Sequence, residues 1–270
     1  MSQSYFDLIA SRHSHRTYDG KPLSPELRKK LEGYLETIDN PFLVPISFRV
    51  LDAKVYSLSS PVIVGEDAYL AAKAKRMPNY EVALGYAFEA ACLYAESLGL
   101  GTVMLAGTLN RKTFEEAMEV GEDEALAVVS PVGVPAKSMS LREKAMRKFL
   151  GADKRKPFEE LFFEGNFDHP LDKGSSGMFL HPLEAVRLAP SATNQQPWRL
   201  IIDGKTVHFY ENKTYKDNPL GDIQRVDIGI ALCHFLVVLR EEGNDGAVVV
   251  DDPKLPAKEN LFYICSVKLK

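Results

Sequence analysis

The 270-residue sequence has little of what marks several large classes of protein. Its net charge is only −4, which argues against a nucleic-acid surface or a polybasic membrane anchor. Its longest nearly unbroken apolar run, IGIALCHFLVVL, is too short to span a bilayer and predicts a buried helix. The first residues lack a basic and then apolar leader. We therefore expect a cytoplasmic protein that binds neither nucleic acid nor membrane.

Residues that commonly bind metals or act as nucleophiles are also scarce. The three cysteines, Cys92, Cys233 and Cys265, lie in apolar contexts, so we expect buried thiols and not disulfides. The six histidines show no paired metal spacing, and His234 in an apolar helix is expected to be a core residue. There is no Walker loop, and GLGT follows a helix, so it is not a dinucleotide fingerprint. The sequence predicts no metal site and no catalytic side chain.

What is present is a mixed pattern of helices and strands. Ser24-Pro25-Glu26 predicts a helix start, because it combines an N-cap, a proline at the first helical position and an acid in the first turn. Asp203-Gly204 predicts the turn of a hairpin, WRLIIDGKTVHFY. The remaining predicted helices are YEVALGYAFEAACLYAESLGLG, RKTFEEAMEVG, LREKAMRKFLG, PFEELFF, PLEAVRLA and IQRVDIGIALCHFLVVLREEG. The remaining predicted strands are SFRVLDAKVY, GTVML, ALAVVSPVGV, GAVVVDD and LFYICSVKLK.

The order of these elements repeats. The helix from Val82 to Gly99 aligns with that from Val226 to Gly243 at one constant offset, and FRVLDAK precedes the first as WRLIIDGK precedes the second. Matching order and matching residues in one register indicate an internal duplication. We predict repeats over residues 1–164 and 165–270, packed as one unit in the way that a two-fold homodimer packs.

Two polar stretches carry the strongest functional signal. SRHSHRTYDG places Arg12, Ser14 and Arg16 at alternate positions, which point the same way in an extended chain and suit a phosphate or another anionic edge. APSATNQQPW concentrates planar amides beside the only tryptophan. Each stretch alone has an ordinary alternative, namely solvated surface charge for the first and backbone hydrogen bonding in a tight turn for the second.

Together these stretches resemble the FMN-dependent nitroreductase family. RHSHRTYD is similar to the family's arginine-serine-basic motif, APSATNQQPW to its Pro-Ser-x-x-Asn-x-Gln-Pro-Trp loop, and DIGIAL and AESLGLGTVML to its central helix and following strand. The first half has DNPFLVPISF in place of the loop, and the second half has GNFDHPLDKG in place of the arginine motif. The resemblance is therefore to a tandem, single-chain branch, and it implies an α+β nitroreductase-like fold that mimics the family homodimer in one chain.

The resemblance also implies which residues hold a flavin. Arg12 and Ser14 would hold the ribityl phosphate, and Arg16 would be the cation beside the N1–O2 edge of the ring. A backbone amide of Ala106 or Gly107 would face N5. Gln196 and Trp198 would brace the loop around the ring. For the second phosphate cation, Arg155, Lys154 and Arg142 compete. The full predicted cofactor-binding set is Arg12, His13, Ser14, Arg16, Ala106, Gly107, Pro190, Ser191, Asn194, Gln196, Arg142 and Arg155.

By this resemblance the protein is an FMN-dependent oxidoreductase that transfers hydride from NAD(P)H through the flavin to a nitro compound, a quinone or a similar small acceptor. The expected assembly is a monomer with one flavin per chain. One alternative is a non-catalytic pseudo-enzyme of the same fold that holds a flavin or another ligand. Another is a flavoenzyme with different chemistry, such as reductive dehalogenation or flavin fragmentation.

Overall fold

The computed structural model describes residues 3–216 and 221–270. Within these ranges the chain forms eight α-helices: α1 (Tyr5–Ser11), α2 (Pro25–Leu35), α3 (Tyr80–Ser97), α4 (Arg111–Met118), α5 (Leu141–Leu150), α6 (Phe158–Leu161), α7 (Leu180–Leu188) and α8 (Ile223–Glu241). The same ranges contain ten β-strands: β1 (Ile46–Asp52), β2 (Ala68–Lys75), β3 (Gly101–Thr102), β4 (Glu124–Ala125), β5 (Val129–Gly133), β6 (Phe162–Glu164), β7 (Trp198–Asp203), β8 (Thr206–Asn212), β9 (Gly246–Val249) and β10 (Leu261–Leu269). None of these helices has both the length and the apolar character needed to cross a bilayer.

The chain divides into two compact units. The N-terminal unit comprises Ser11–Ala152, and the C-terminal unit comprises Asp153–Lys270 together with Met1–Ala10. The compact units thus divide after Ala152, earlier than the repeat boundary predicted after residue 164, because β6 and the chain before it belong with β7. Helix α1 begins in the C-terminal unit, where the Tyr5 amide donates to both carboxylate oxygens of Glu241. The repeat boundary itself stays a prediction.

The N-terminal unit is built on an antiparallel sheet. Strands β1, β2, β5 and β3 lie side by side in that order, and β4 pairs with the end of β2. Helix α3 contacts β2 and is buried on most sides, as its apolar sequence predicts, with Val82, Leu84 and Phe88 fully buried. Ser24 caps α2 by accepting from the Leu27 amide, which confirms the predicted helix start.

The C-terminal unit contains a second sheet, in the order β6-β7-β8-β10-β9. All its pairs are antiparallel except β6 with β7. The predicted hairpin is confirmed: Asp203 pairs with Thr206, and Gly204 adopts a φ of +57°, which a residue without Cβ adopts at little cost. Helix α8 packs against α7 and β8 with most of its residues buried.

Two short segments differ from the sequence prediction. PFEELFF is helical only over Phe158–Leu161, because Phe162 and Phe163 pair with Leu200 and Ile201 in the sheet. GTVML forms a strand only over Gly101–Thr102, since the Val103 amide donates to Ser130 Oγ and the pairing with β5 resumes only as an isolated bridge between Leu105 and Val129. In both cases the contacts with a neighbouring strand of the same chain decide the conformation of a short apolar run.

Both units repeat one order of elements. The series α2-β1-β2-α3 in the N-terminal unit corresponds to α7-β7-β8-α8 in the C-terminal unit, and each series ends in a long buried helix, of 18 and 19 residues. In each series the two strands form an antiparallel pair. The predicted α+β class with two tandem repeats is therefore confirmed.

Candidate functional site

The residues Arg12–Tyr18, here called the arginine tract, are extended and bound to neighbouring chain segments. The His15 amide donates to the Thr102 carbonyl at 3.0 Å, and the Tyr18 amide donates to the Val64 carbonyl at 2.8 Å. Ser14 forms an isolated parallel bridge with Thr102. With further bridges at Thr17 and Tyr18, the tract is extended around Ser14 and Arg16, so the condition under which alternate side chains share a direction is met there.

The tract is packed closely against glycines. A Cβ built on Gly101 would lie 2.8 Å from the His15 ring, and one built on Gly65 would lie 2.5 Å from the Tyr18 carbonyl oxygen. Gly65 also has a φ of +79°. These close approaches fix the path of the tract at His15 and at Tyr18, because a residue with a Cβ would not leave the space.

Charge in the tract is partly neutralised from within the unit. Arg12 Nε lies 3.4 Å from Glu89 Oε1, and the Glu89 side chain is fully buried. Arg16 Nε is also buried, and it has no hydrogen-bond partner among the described residues. Burial lowers the pKa of Arg16, and the nearby Arg147 lowers it further, while Glu143 opposes them. The Arg16 Nε–H is therefore a donor that a bound ligand could satisfy.

Two histidines lie between these arginines. The His13 and His15 rings are 4.1 Å apart, and His13 Nδ1 donates to the Ser11 carbonyl at 3.0 Å. Burial lowers the pKa of His15 to about 4, with further lowering by His13, Arg12 and Arg147. His15 is consequently neutral at pH 7, and the positive charge of the tract comes from its arginines.

Helix α5 docks on the tract, which the sequence reading missed. Ser140 caps the helix by accepting from the Glu143 amide at 3.1 Å. The buried Glu143 carboxylate accepts from the Arg16 amide at 3.1 Å and from Thr17 Oγ1 at 2.7 Å. The spacing Ser140-x-x-Glu143 is that of a capping box and was a readable signal for a helix start. Its acid, however, binds the tract and not its own cap. Arg142, a predicted phosphate ligand, is exposed and donates to the Pro61 carbonyl.

The loop after β3 presents backbone amides. Leu105 pairs with Val129, and beyond it Ala106 is half-buried and Gly107 is exposed. Neither the Ala106 nor the Gly107 amide donates a hydrogen bond within the described part of the chain. Arg111 was not singled out from the sequence, yet it holds this loop by donating to the carbonyl of Ala106 at 2.5 Å.

In the C-terminal unit, residues Pro190–Trp198, here called the carboxamide loop, have an unusual backbone. Thr193, Asn194 and Gln196 have φ values of 47°, 58° and 53°, in the left-handed region that non-glycine residues rarely adopt. Ser191 stabilises the turn, because its Oγ accepts from the Gln196 amide at 2.9 Å. Such conformations persist only where the surroundings enforce them, and they cluster at functional sites.

The amide side chains of the loop bind a neighbouring stretch, Lys154–Lys156. Asn194 Nδ2 donates to the Lys154 carbonyl at 3.0 Å, and the Lys156 amide donates to Gln196 Oε1 at 2.8 Å. Gln196 is buried, and its contacts hold the loop against Lys154–Lys156. Arg155 donates to the carbonyls of Lys154 and Leu188, which places its guanidinium among these backbone contacts.

Buried carboxylates lie beneath the loop. Both oxygens of Asp227 accept from the Ala192 amide at 3.1 Å, and burial raises the pKa of Asp227 well above its usual value. Burial and the neighbouring Asp222 raise the pKa of Glu211 to about 7. Glu211 pairs across the sheet with Trp198, whose buried Nε1 has no partner among the described residues. No sequence pattern pointed to these acids.

The three cysteines and His234 are buried, as the sequence analysis expected. Cys92, Cys233 and Cys265 are all buried and outside any disulfide in the described chain, as predicted. His234 is a core residue that donates from Nδ1 to the Ala185 carbonyl at 2.9 Å. No group of His, Cys, Asp or Glu side chains in the described ranges has the geometry to hold a metal ion.

The fold is that of a nitroreductase. A protein described as a "putative nitroreductase" from Thermotoga maritima MSB8 superimposes with a TM-score of 0.63 at 19% identity, covering 100% of this chain and 95% of that one. The chain belongs to the family described as "Putative TM nitroreductase", whose sequence model matches residues 5–238. The family resemblance read from the two polar stretches is thereby confirmed.

Other solved structures match about half of the chain. An "FMN-dependent Nitroreductase" from Clostridium difficile R20291, 15% identical, covers 49% of this chain and 88% of its own with a TM-score of 0.39. A "Putative NADH dehydrogenase/NAD(P)H nitroreductase" from Bacteroides thetaiotaomicron, 20% identical, covers 52% and 91% with a TM-score of 0.43. These two superpositions are too weak to support a conclusion about fold or function. No protein with curated annotation matches the chain.

Proposed function

We propose that the protein is an FMN-dependent oxidoreductase that takes hydride from NAD(P)H and delivers it to a nitro compound, a quinone or a similar small acceptor. The observation that carries the proposal is the arginine tract, an anchored, extended segment with a buried Arg16 Nε that has no acceptor among the described residues. Family membership supports the reaction class.

The donors of the N-terminal unit fit an anionic flavin nucleotide. A phosphate monoester accepts several hydrogen bonds, and arginines bind such groups in charge-assisted forks. Arg12 and Ser14 would hold that phosphate, with His13 beside them. Because His15 is neutral at pH 7, the arginines supply the charge.

The isoalloxazine ring would meet a different set of groups. Arg16 would stabilise the negative charge that a reduced flavin gains at its N1–O2 edge. The amide of Ala106 or Gly107, which donates to no described residue, would bind N5. Bound FMN supplies the hydride chemistry, and the chain binds, orients and polarises it.

We assign the border of the ring to Pro190, Ser191 and Asn194 of the C-terminal unit, with Gln196 bracing them. In this proposal one chain binds one flavin and acts as a monomer. We assign no acid or base side chain to the reaction.

Spectroscopic titration tests the proposal. Purified protein with added FMN should show the absorbance of bound flavin, and NADH or NADPH should bleach it under anaerobic conditions. Steady-state assays with nitroarenes, quinones and halogenated phenols would then identify the acceptor class and would separate reductive dehalogenation from the proposed reaction.

Variants test whether both units act on the same flavin. Arg12→Ala and Asn194→Ala should each weaken FMN binding, whereas Arg240→Ala and the exposed Asn110→Ala should not. If only one of the first two variants loses affinity, the assignment of one flavin to residues of both units is wrong.

A second candidate function is a pseudo-enzyme that holds a flavin without turnover. The specific observation that favours it is that Asn194 and Gln196 already donate to the Lys154 carbonyl, so the loop binds its own chain. Bound FMN that neither NADH nor NADPH reduces would support this alternative. Protein that binds no flavin at all would contradict both.

A further inference from the structure

Helix α5 lies in the segment SMSLREKAMRKFLGA, which connects the strand end VGVP to DKRKPF. The sequence nominated Arg142, Lys154 and Arg155 as the second cation for the flavin phosphate. In the structure Arg142 donates to the Pro61 carbonyl, and Arg155 donates to two backbone carbonyls. Helix α5 carries a further arginine, Arg147.

The position of α5 on the arginine tract is set by three hydrogen bonds. Glu143 accepts from the Arg16 amide and from Thr17 Oγ1, and the Ser140 amide donates to Thr17 Oγ1 at 3.1 Å. Glu143 is buried, which makes this a fixed attachment and not a passing surface contact. The first turn of α5 is therefore held against Arg16 and Thr17.

Arg147 follows Glu143 by four residues, so the two side chains lie on the same face of the helix, one turn apart. Arg147 is half-buried, while its neighbours Lys144 and Lys148 are exposed. Its charge acts on the tract, since it lowers the pKa of both His15 and Arg16. Arg147 thus faces the tract, and the two lysines face solvent.

Arg147 makes the third guanidinium in this region, after Arg12 and Arg16. The carboxylates of Glu89, beside Arg12, and of Glu143 offset part of this positive charge, and a bound anion would offset the remainder. The buried Arg16 Nε, which has no hydrogen-bond partner in the described ranges, shows that an acceptor is still to be supplied.

We propose that Arg147 of helix α5 is a specificity-determining residue that selects a phosphorylated flavin over riboflavin by binding its phosphate. This inference rests on the proposed function. It assigns to helix α5 the second phosphate cation, for which the sequence offered Arg142, Lys154 and Arg155 as candidates.

The test compares two ligands that differ only in the phosphate. FMN and riboflavin are titrated into the full-length protein and into Arg147→Ala, Arg147→Lys, Lys148→Ala and Lys144→Ala, with binding followed by flavin fluorescence. Loss of a charge-assisted contact should weaken FMN binding by about tenfold to a hundredfold in Arg147→Ala and leave riboflavin binding unchanged. Arg147→Lys should restore part of the affinity, and the two control variants should match the wild type.

The contrary outcomes are distinct. An equal loss for FMN and riboflavin would place Arg147 against the ring or in the fold, and an unchanged FMN affinity would remove it from the site; either overturns the inference. A wild type that binds both ligands equally would overturn it and leave a flavin-dependent function standing. A wild type that binds neither would overturn the proposed function as well. Circular dichroism and thermal unfolding identify variants that fail to fold.

Discussion

The arginine tract and the carboxamide loop differ in how far the chain satisfies them. In the N-terminal unit, Arg16 Nε and the amides of Ala106 and Gly107 have no hydrogen-bond acceptor among the described residues. In the C-terminal unit, the side chains of Asn194 and Gln196 already bind the backbone of Lys154 and Lys156, although Trp198 Nε1 has no partner among the described residues. The two amide side chains of the loop are therefore committed to holding its strained turn, whereas Arg16 of the tract keeps a donor for a ligand.

The largest loss of stability is expected from replacing Arg12, which tests how the tract is held in the N-terminal unit. Arg12→Ala leaves the fully buried Glu89 without the neighbouring guanidinium, and a buried pair broken in this way costs about 3–5 kcal/mol. Urea unfolding measures the loss. Arg12→Ala combined with Glu89→Gln should recover much of it without recovering FMN affinity. A double variant as unstable as the single one would contradict an ion-pair role.

A smaller effect is expected at Gln196, which tests the bracing of the loop. Gln196→Ala removes the acceptor of the Lys156 amide and a donor to Lys154, and we expect a loss of about 1–3 kcal/mol in the free energy of unfolding. Gln195→Ala is the matched control, since among the described residues Gln195 Nε2 donates only to Thr193 Oγ1. Equal losses in the two variants would show that the brace is not specific to Gln196.

The buried carboxylate of Glu211 should make the stability of the protein depend on pH. The pKa of Glu211 is raised from 4.5 to about 7, so the folded protein holds a proton there that the unfolded chain releases. The stability that this proton contributes is complete below pH 4.5 and is lost as the pH rises through 7. Glu211→Gln has no carboxyl group to ionise, so its stability should not fall with pH at this position. The melting temperature of the variant should therefore rise relative to the wild type between pH 5 and pH 8, and a constant difference would refute the assignment.

The smallest effect is a change in the pKa of His15, which reports whether a phosphate binds beside the tract. Burial and the charges of Arg12 and Arg147 keep the pKa of His15 near 4 in the flavin-free protein. A phosphate bound among these arginines would offset their charge and raise that pKa. Proton NMR titration of the His15 ring should show the increase with FMN and not with riboflavin. An identical shift with both ligands would place the phosphate elsewhere.

Several features could be predicted from the sequence because they depend on local patterns. Asp203-Gly204 between two apolar runs was enough to predict the hairpin, and Ser24-Pro25-Glu26 was enough to predict the start of α2. The burial of α3 and α8 followed from apolar residues on most sides of each helix. The arginine and amide motifs, read together, led to the correct family.

The tertiary structure decided what depends on partners distant in sequence. Glu143 could be read as part of a helix cap, but only the fold sets its carboxylate against Arg16 and Thr17, more than 120 residues away. Phe162 and Phe163 suit a helix or a strand, and their pairing with Leu200 and Ile201 selects the strand. Burial likewise fixes the protonation of His15 and Glu211. Propensity and periodicity act over a few residues, whereas hydrogen-bond pairing and desolvation depend on whichever chain segment packs alongside.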